Sequence, residues 1–286
     1  MKKMTTGVAI AAVFAAGLSI VFAKGVFTGS PASADAKEAA TSVADVTETS
    51  RKTTPEFRDA GLAAMKKAAA GDKYLFVFFW KDEDSSTTAL RKVFETATQK
   101  VAERADAVSV NVSDRGESGI VKKFGVDRAP MPLVLAIAPN GAITGGFPGD
   151  FTEAKLLDAF ASPGLAKCMK PLQEGKLVLL CVQNDKTTLN AEALEGVQSF
   201  KADERFANVT EIVMLDPSDS AESSFLGDLK IDPKTAKAVT ALLVPPGSAI
   251  AEFEGETSKE QFLAALQSAG SCGPGGACGP GGCGPK

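Results

Sequence analysis

The chain contains no histidine, and only one tryptophan and one tyrosine. Without imidazole there is no His-based acid–base catalysis, no Ser–His or Cys–His nucleophile pair, and no His-ligated metal site. Cysteine is also scarce: Cys168, Cys181, Cys272, Cys278 and Cys283 are the five, and none precedes residue 168. A lipid-bearing cysteine behind an export signal is therefore excluded. An odd count leaves at least one thiol unpaired or paired to another chain. No charge of one sign is concentrated: the net charge is −4 with Lys and Arg scattered, which excludes a nucleic-acid groove. What remains is 286 residues, 44% hydrophobic and 23% charged, enough for two ordinary domains with real cores.

Met1-Lys2-Lys3 gives a positive start, and Gly7 to Ala23 is a 17-residue run without charge. Ala32-Ser33-Ala34 offers a small-residue cleavage site before Asp35, with Val21-Phe22-Ala23 as an alternative. Residues 1–34 read as a bacterial secretory signal peptide, with an uncleaved membrane anchor as the rival reading. Either way the body is expected to be exported, on the extracytoplasmic side of the membrane or in the periplasm, where disulfides are permitted. Residues 35–53 are small and polar without an apolar period, a flexible linker.

Tyr74 to Trp80 is seven apolar residues in a row, followed by the acidic break Lys81-Asp82-Glu83-Asp84. Such a run, rich in aromatics, predicts a buried central strand. Leu90, Val93, Phe94, Ala97 and Val101 then recur at helical spacing, so a helix leaves the strand end. Asp84, Ser85 and Ser86 are suitable N-caps for it.

Phe79-Trp80 followed by a helix start resembles the thioredoxin family, in which an apolar strand ends in Phe-Trp and Cys-Gly-Pro-Cys opens a helix. That resemblance puts Asp84 at the first cysteine and Thr87 at the second. Phe124-Gly125-Val126-Asp127-Arg128-Ala129-Pro130 resembles the family segment ending in the cis-proline that faces the active site. The resemblance implies a cis bond at Pro130, backbone groups there free to pair with an extended peptide, and Trp80 beside them. It covers about residues 55–162 well and 163–270 loosely. Thioredoxin chemistry needs a thiolate at a helix N-terminus and a resolving thiol three residues on. A carboxylate and a hydroxyl can do neither step, so Asp84 and Thr87 are degenerate site positions, expected to cap the helix. Asp82, Glu83 and Asp84 lack further cation ligands and are expected to be solvated.

The expected fold class is α/β: two tandem thioredoxin-like domains, each a central mixed sheet flanked by helices, between the N-terminal signal or anchor and a disordered tail. In domain 1, residues 54–162, Thr54-Pro55 starts a helix. The Tyr74–Trp80 strand and its helix follow. A strand follows at Val108–Val112, with a short helix at Ser118–Phe124. Pro132–Ala138 and Ala142–Phe147 form a hairpin about Pro139-Asn140-Gly141, and Thr152–Phe160 is a closing helix. The pattern returns about 105 residues later. In the divergent domain 2, residues 163–270, the helix from Ser162-Pro163 and the Lys176–Val182 strand lead to Asn184-Asp185-Lys186-Thr187, where a catalytic pair would sit. A helix over Ala191–Phe206 capped by Asn190 follows, with Val239 near the cis-proline position.

Residues 271–286 repeat Cys-Gly-Pro, a composition that forms no packed element. Cys272, Cys278 and Cys283 lack the tight pairing of zinc sites. Three readings stand for them: Cu(I) binding by soft thiolates, thiol exchange or crosslinking, or incidental thiols. Cys181 reads as a buried small hydrophobe, and a Cys168–Cys181 disulfide is left open because its geometry is not in the sequence. The function expected is that of an exported, non-catalytic protein-binding or scaffold module in envelope redox or metal handling, with an envelope protein or peptide as partner. The alternatives are a thiol–disulfide oxidoreductase working through tail cysteines and a Cu(I) carrier.

Overall fold

The computed structural model describes residues 8–9 and 59–270. The remainder of the signal or anchor segment, the linker, the helix start expected at Thr54-Pro55 and the whole cysteine tail lie outside the described residues.

Two sheets of one build follow each other along the chain. In chain order the first half contains α1 (Ala60–Ala70), β2 (Tyr74–Trp80), α2 (Ser85–Lys100), β3 (Ala105–Asn111), α3 (Ser118–Phe124), β4 (Leu133–Ile137), β5 (Ile143–Pro148) and α4 (Glu153–Leu157). The second half contains α5 (Pro163–Gln173), β6 (Leu177–Val182), α6 (Asn190–Lys201), β7 (Thr210–Leu215), α7 (Ser223–Leu229), β8 (Val239–Val244), β9 (Ser248–Glu254) and α8 (Lys259–Gly270). The first sheet has the order β3-β2-β4-β5, and the second β9-β8-β6-β7, with the two-residue β1 (Val8–Ala9) added on β9. In each, the first two strands in sequence are parallel and the hairpin that follows is antiparallel. This mixed α/β architecture, with helices on both faces, has the thioredoxin-like order in both halves.

Alternation along β2 explains its unbroken apolar run. Leu75, Val77 and Phe79 pack into the core on one face, against Ile120, Phe124 and Leu135. Phe76 and Phe78 enter the core on the other, against Phe94, Phe147 and Leu156. A strand buried on both faces has no wet side on which to place polar residues. β6 repeats this: Val178, Leu180 and Val182 face one cluster, Leu179 and Cys181 the other.

Several boundaries differ from the sequence expectation. α1 starts at Ala60, capped by Asp59, whose carboxylate accepts the Leu62 N–H at 2.8 Å. α4 stops at Leu157 because the chain turns at Asp158. Phe160 then packs on Tyr74 and Phe76. α6 begins with Asn190 rather than being capped by it, and ends at Lys201. Beyond it Asp203 accepts the Arg205 N–H and binds Lys259, which turns the chain. Phe206 keeps its apolar role from that turn by stacking on Phe200 at 4.5 Å.

The halves are joined by specific contacts. Within the first half the Tyr74 hydroxyl anchors the segment leading to α5, donating to the Ala161 carbonyl and accepting the Ala161 N–H. Asn140 donates to the Ala166 carbonyl at 2.7 Å. The Gln173 amide accepts the Ile143 N–H (2.9 Å) and donates to the Ile143 carbonyl (2.6 Å). Ala138, Ala142, Ala166 and Met169 form the apolar part of this junction. Among the described residues no helix is long and apolar enough to cross a membrane.

Candidate functional site

The site predicted from sequence lies where β2 hands over to α2. Asp84 is the N-cap, and its carboxylate accepts the Thr87 N–H at 2.7 Å. That bond, with help from the Thr87 hydroxyl, holds the Asp84 carboxyl below the usual carboxylate range. Thr87 is buried. Trp80 is half-buried, and the Arg91 guanidinium lies over its ring at 4.8 Å while binding Glu83 at 2.9 Å. Two of the acidic residues are thus engaged, one as a cap and one as an ion pair. Among the described residues no group of three or more Cys, Asp or Glu side chains is arranged to hold a metal. Cys272, Cys278 and Cys283 lie outside the described residues.

The proline segment reaches the same sheet end. Phe79 pairs with Leu133 in the antiparallel β2–β4 ladder, so the next step brings Pro132 level with Trp80. The cis bond is Met131–Pro132, which corrects the expectation placed on Pro130. The physical reason lies in the register: the residue abutting the first β4 pair is Pro132, and Pro130 sits two residues further out, exposed. Among the described residues, the Met131 N–H and the Ala129 and Pro130 carbonyls have no hydrogen-bond partner.

The second half treats the equivalent place differently. Its register pairs Val182 with Val239, so Ala238 takes the place of Pro132, and no cis bond occurs there. Four residues separate β2 from α2, whereas seven separate β6 from α6. The N-cap is Leu189, in the left-handed region at φ 61° without a side-chain cap, one residue before the Asn190 expected there, and Asn184–Thr187, expected to stand at the catalytic-pair positions, lies in the loop ahead of it. The longer loop lies along the segment before β8. Thr188 N–H donates to the Ala236 carbonyl (2.9 Å), and Ala238 N–H donates to the Thr188 carbonyl (2.9 Å). This is a parallel bridge between Thr188 and Lys237. Side chains fix the loop: the Asn190 amide donates to the Asn184 carbonyl, and its oxygen accepts from the Thr187 hydroxyl.

Cys168 and Cys181 are free and buried, and burial pushes both thiols up to about 12. The disulfide left open by the sequence is not formed, because the two side chains enter cores on opposite faces of the second sheet. Neither supplies a thiolate near neutral pH.

Sequence reasoning missed a device present in both halves. Glu117 accepts the Gly61 N–H (2.9 Å) and the Ala60 N–H (3.2 Å) at the start of α1. Asp59 in return accepts the Ile120 N–H in α3. Glu222, itself buried, accepts the Gly164 N–H (2.6 Å) and the Ser162 hydroxyl (2.5 Å) at the start of α5. Each carboxylate meets the positive end of a helix that is remote in sequence. The signal was available: Asp-x-x-Glu occurs at 114–117 and again at 219–222, and Gly-Leu at 61–62 and 164–165.

No family model matches the chain, and no curated protein matches it. Solved structures do. Thioredoxin O2 from Arabidopsis thaliana, in its oxidized state, is 15% identical over 35% of this chain and 84% of its own, with a TM-score of 0.29. The germline-specific thioredoxin Deadhead from Drosophila melanogaster is 18% identical over 35% of this chain and 90% of its own, with a TM-score of 0.29. Malassezia sympodialis thioredoxin is 26% identical over 33% of this chain and 77% of its own, with a TM-score of 0.28. Each likeness spans about a third of the chain, and the thioredoxin-like description of both halves rests on their own strand order and register.

Proposed function

We propose that the protein is an exported, non-catalytic binding module, in which the first half receives an extended peptide segment of an envelope partner along residues 129–131. The observation that carries this reading is the contrast between the two sheet ends. The equivalent segments are Pro130–Pro132 and Ala236–Ala238: the Pro130 carbonyl is uncovered, with the Met131 N–H beside it, whereas the Ala236 carbonyl and the Ala238 N–H are already paired by Thr188. Main-chain groups left open beside a strand end are what strand-type peptide recognition uses. The reaction centre of a thioredoxin is replaced by a capping carboxylate and a buried threonine, so binding without disulfide exchange follows. Trp80, level with Pro132 in the register and under Arg91, is the aromatic side chain this reading assigns to the same site.

Two measurements test it. Wild-type protein, and the variants Cys272→Ser, Cys278→Ser and Cys283→Ser, are expected to give no turnover in insulin reduction. Asp84→Cys places a thiol at a helix N-terminus, where thiolates are favoured, and is expected to trap disulfide-bonded partner peptides, its thiolate breaking the peptide disulfide to form a mixed disulfide and release the other half as a thiolate. Met131→Pro, which removes the free N–H, is expected to abolish that capture in the Asp84→Cys background. Turnover by wild type that is lost in the tail variants would establish the tail-thiol oxidoreductase instead. Stoichiometric Cu(I) binding lost on deleting 271–286 would establish the carrier.

A further inference from the structure

A sheet edge is a row of unpaired backbone groups, and this chain protects its edges unequally. On β5 the Gln173 amide occupies both backbone groups of Ile143, and Pro148 ends the strand. β9 carries Glu252 and Glu254, and its ladder with β8 shifts register at Leu242/Leu243. β3 exposes only the small side chains of Ala107 and Ser109. Among the described residues β7 has none of these protections.

Its register against β6 runs without a bulge from Thr210 to Leu215. The Leu177 N–H donates to the Val209 carbonyl and the Gln183 N–H to the Leu215 carbonyl. These two bonds fix the parity of the strand, so Thr210, Ile212 and Met214 turn their N–H and C=O groups outward. Met214 is 47% exposed and Val209, just before the strand, 43%. Among the described residues no other large apolar side chain is as exposed, Leu189 following at 38%. The charged residue on the strand, Glu211, is held within its own domain by Lys176 (3.0 Å) and Lys201 (3.2 Å), so its carboxylate is not free to repel a neighbouring strand.

We propose that β7 is a self-association edge, where two copies of this chain pair their β7 strands antiparallel about a two-fold axis at Ile212. This register sets Ile212 opposite its own copy, Thr210 opposite Met214, and Glu211 opposite Val213. No like charges meet, and the exposed Met214 of each copy covers Thr210 of the other. One patch serves both sides, as a two-fold interface requires. A ladder this short buries less than the roughly 800 Å² per partner of stable complexes, so the dimer forms with rising concentration rather than as an obligate unit.

Sedimentation of the full chain under reductant, which keeps tail thiols from crosslinking, is the test, run from low micromolar to several hundred micromolar. A monomer–dimer equilibrium is expected, with amide exchange at Ile212 and Met214 slowing as the dimer forms while Ala107 and Ser109 exchange unchanged. Met214→Lys and Ile212→Pro, both directed at the outward edge, are expected to weaken association about tenfold or more without lowering the melting temperature of Met214→Lys. A single monomeric species throughout overturns the proposal. So does a dimer that leaves the Ile212 and Met214 amides exchanging freely, a readout that needs no variant.

Discussion

At the scale of single residues, the internal repeat provides its own controls. Gly125 closes α3 at φ 61°, and Lys230 closes α7 at φ 60° in the matching place. A side chain in the left-handed region costs about 1 kcal/mol relative to glycine. Lys230→Gly is therefore expected to raise stability by roughly 0.5–1 kcal/mol, and Gly125→Ala to lower it by about 1 kcal/mol. Chemical denaturation of the two variants decides this, and equal signs would refute it. Glu117 and Glu222 are a second matched pair. Burial raises the Glu117 carboxyl above its usual range, with the Asp59 carboxylate adding to the rise. In the second half Ser162 stands where Asp59 does and donates a hydrogen bond instead. A carboxyl raised in the folded state binds its proton more tightly there than in the unfolded chain. Its contribution is thus present at acidic pH and lost as pH rises through the raised value. Relative to Glu117→Gln, wild type should lose stability between acid and neutral pH, and a difference that stays flat across that range would rule out the assignment.

At the scale of elements, the α2 and α6 starts show how loop length decides a site. α2 has a side-chain cap on a four-residue connection, and α6 has none on a seven-residue connection. Asp84→Ala removes the bond to Thr87 and is expected to cost about 1 kcal/mol, measured by urea unfolding. Thr188→Pro removes the N–H that pairs with Ala236. It is expected to speed amide exchange at Ala238 by at least about tenfold while leaving exchange in β6 unchanged. Retained protection at Ala238 would mean the loop is held by its side chains alone. The β2 and β6 strands and the hairpin of the first half were legible in the sequence, because strands buried on both faces must be apolar throughout. The end of α6 was not: Phe206 fits a helical period, and only the Asp203 turn with Lys259 shows that the helix has already stopped.

At the scale of the whole molecule, the two halves are held by the Gln173–Ile143 and Asn140–Ala166 bonds around a small cluster of alanines and Met169. Gln173→Ala leaves both Ile143 groups without their partner. It is expected to cost about 1–2 kcal/mol and to broaden or split the calorimetric transition as the halves uncouple. A single transition of unchanged width would mean the apolar cluster alone couples them. The Gln173 bonds also cover the β5 edge of the first sheet, and among the described residues β7 is the edge left without such cover.

Binary patterning by itself determined two α/β halves, because a run of apolar residues bounded by turns has few other ways to bury itself. The lack of histidine, and of a cysteine pair at either helix start, was equally a property of the sequence and limits the chemistry whatever the fold. Tertiary structure decided what spacing cannot encode. It set the register that makes Pro132 rather than Pro130 the residue level with Trp80. It separated Cys168 and Cys181 onto opposite sheet faces, and it left Thr188 paired where the first half leaves backbone open. Each of these depends on contacts between residues far apart in the chain, and a local pattern carries no information about which distant group arrives to make them.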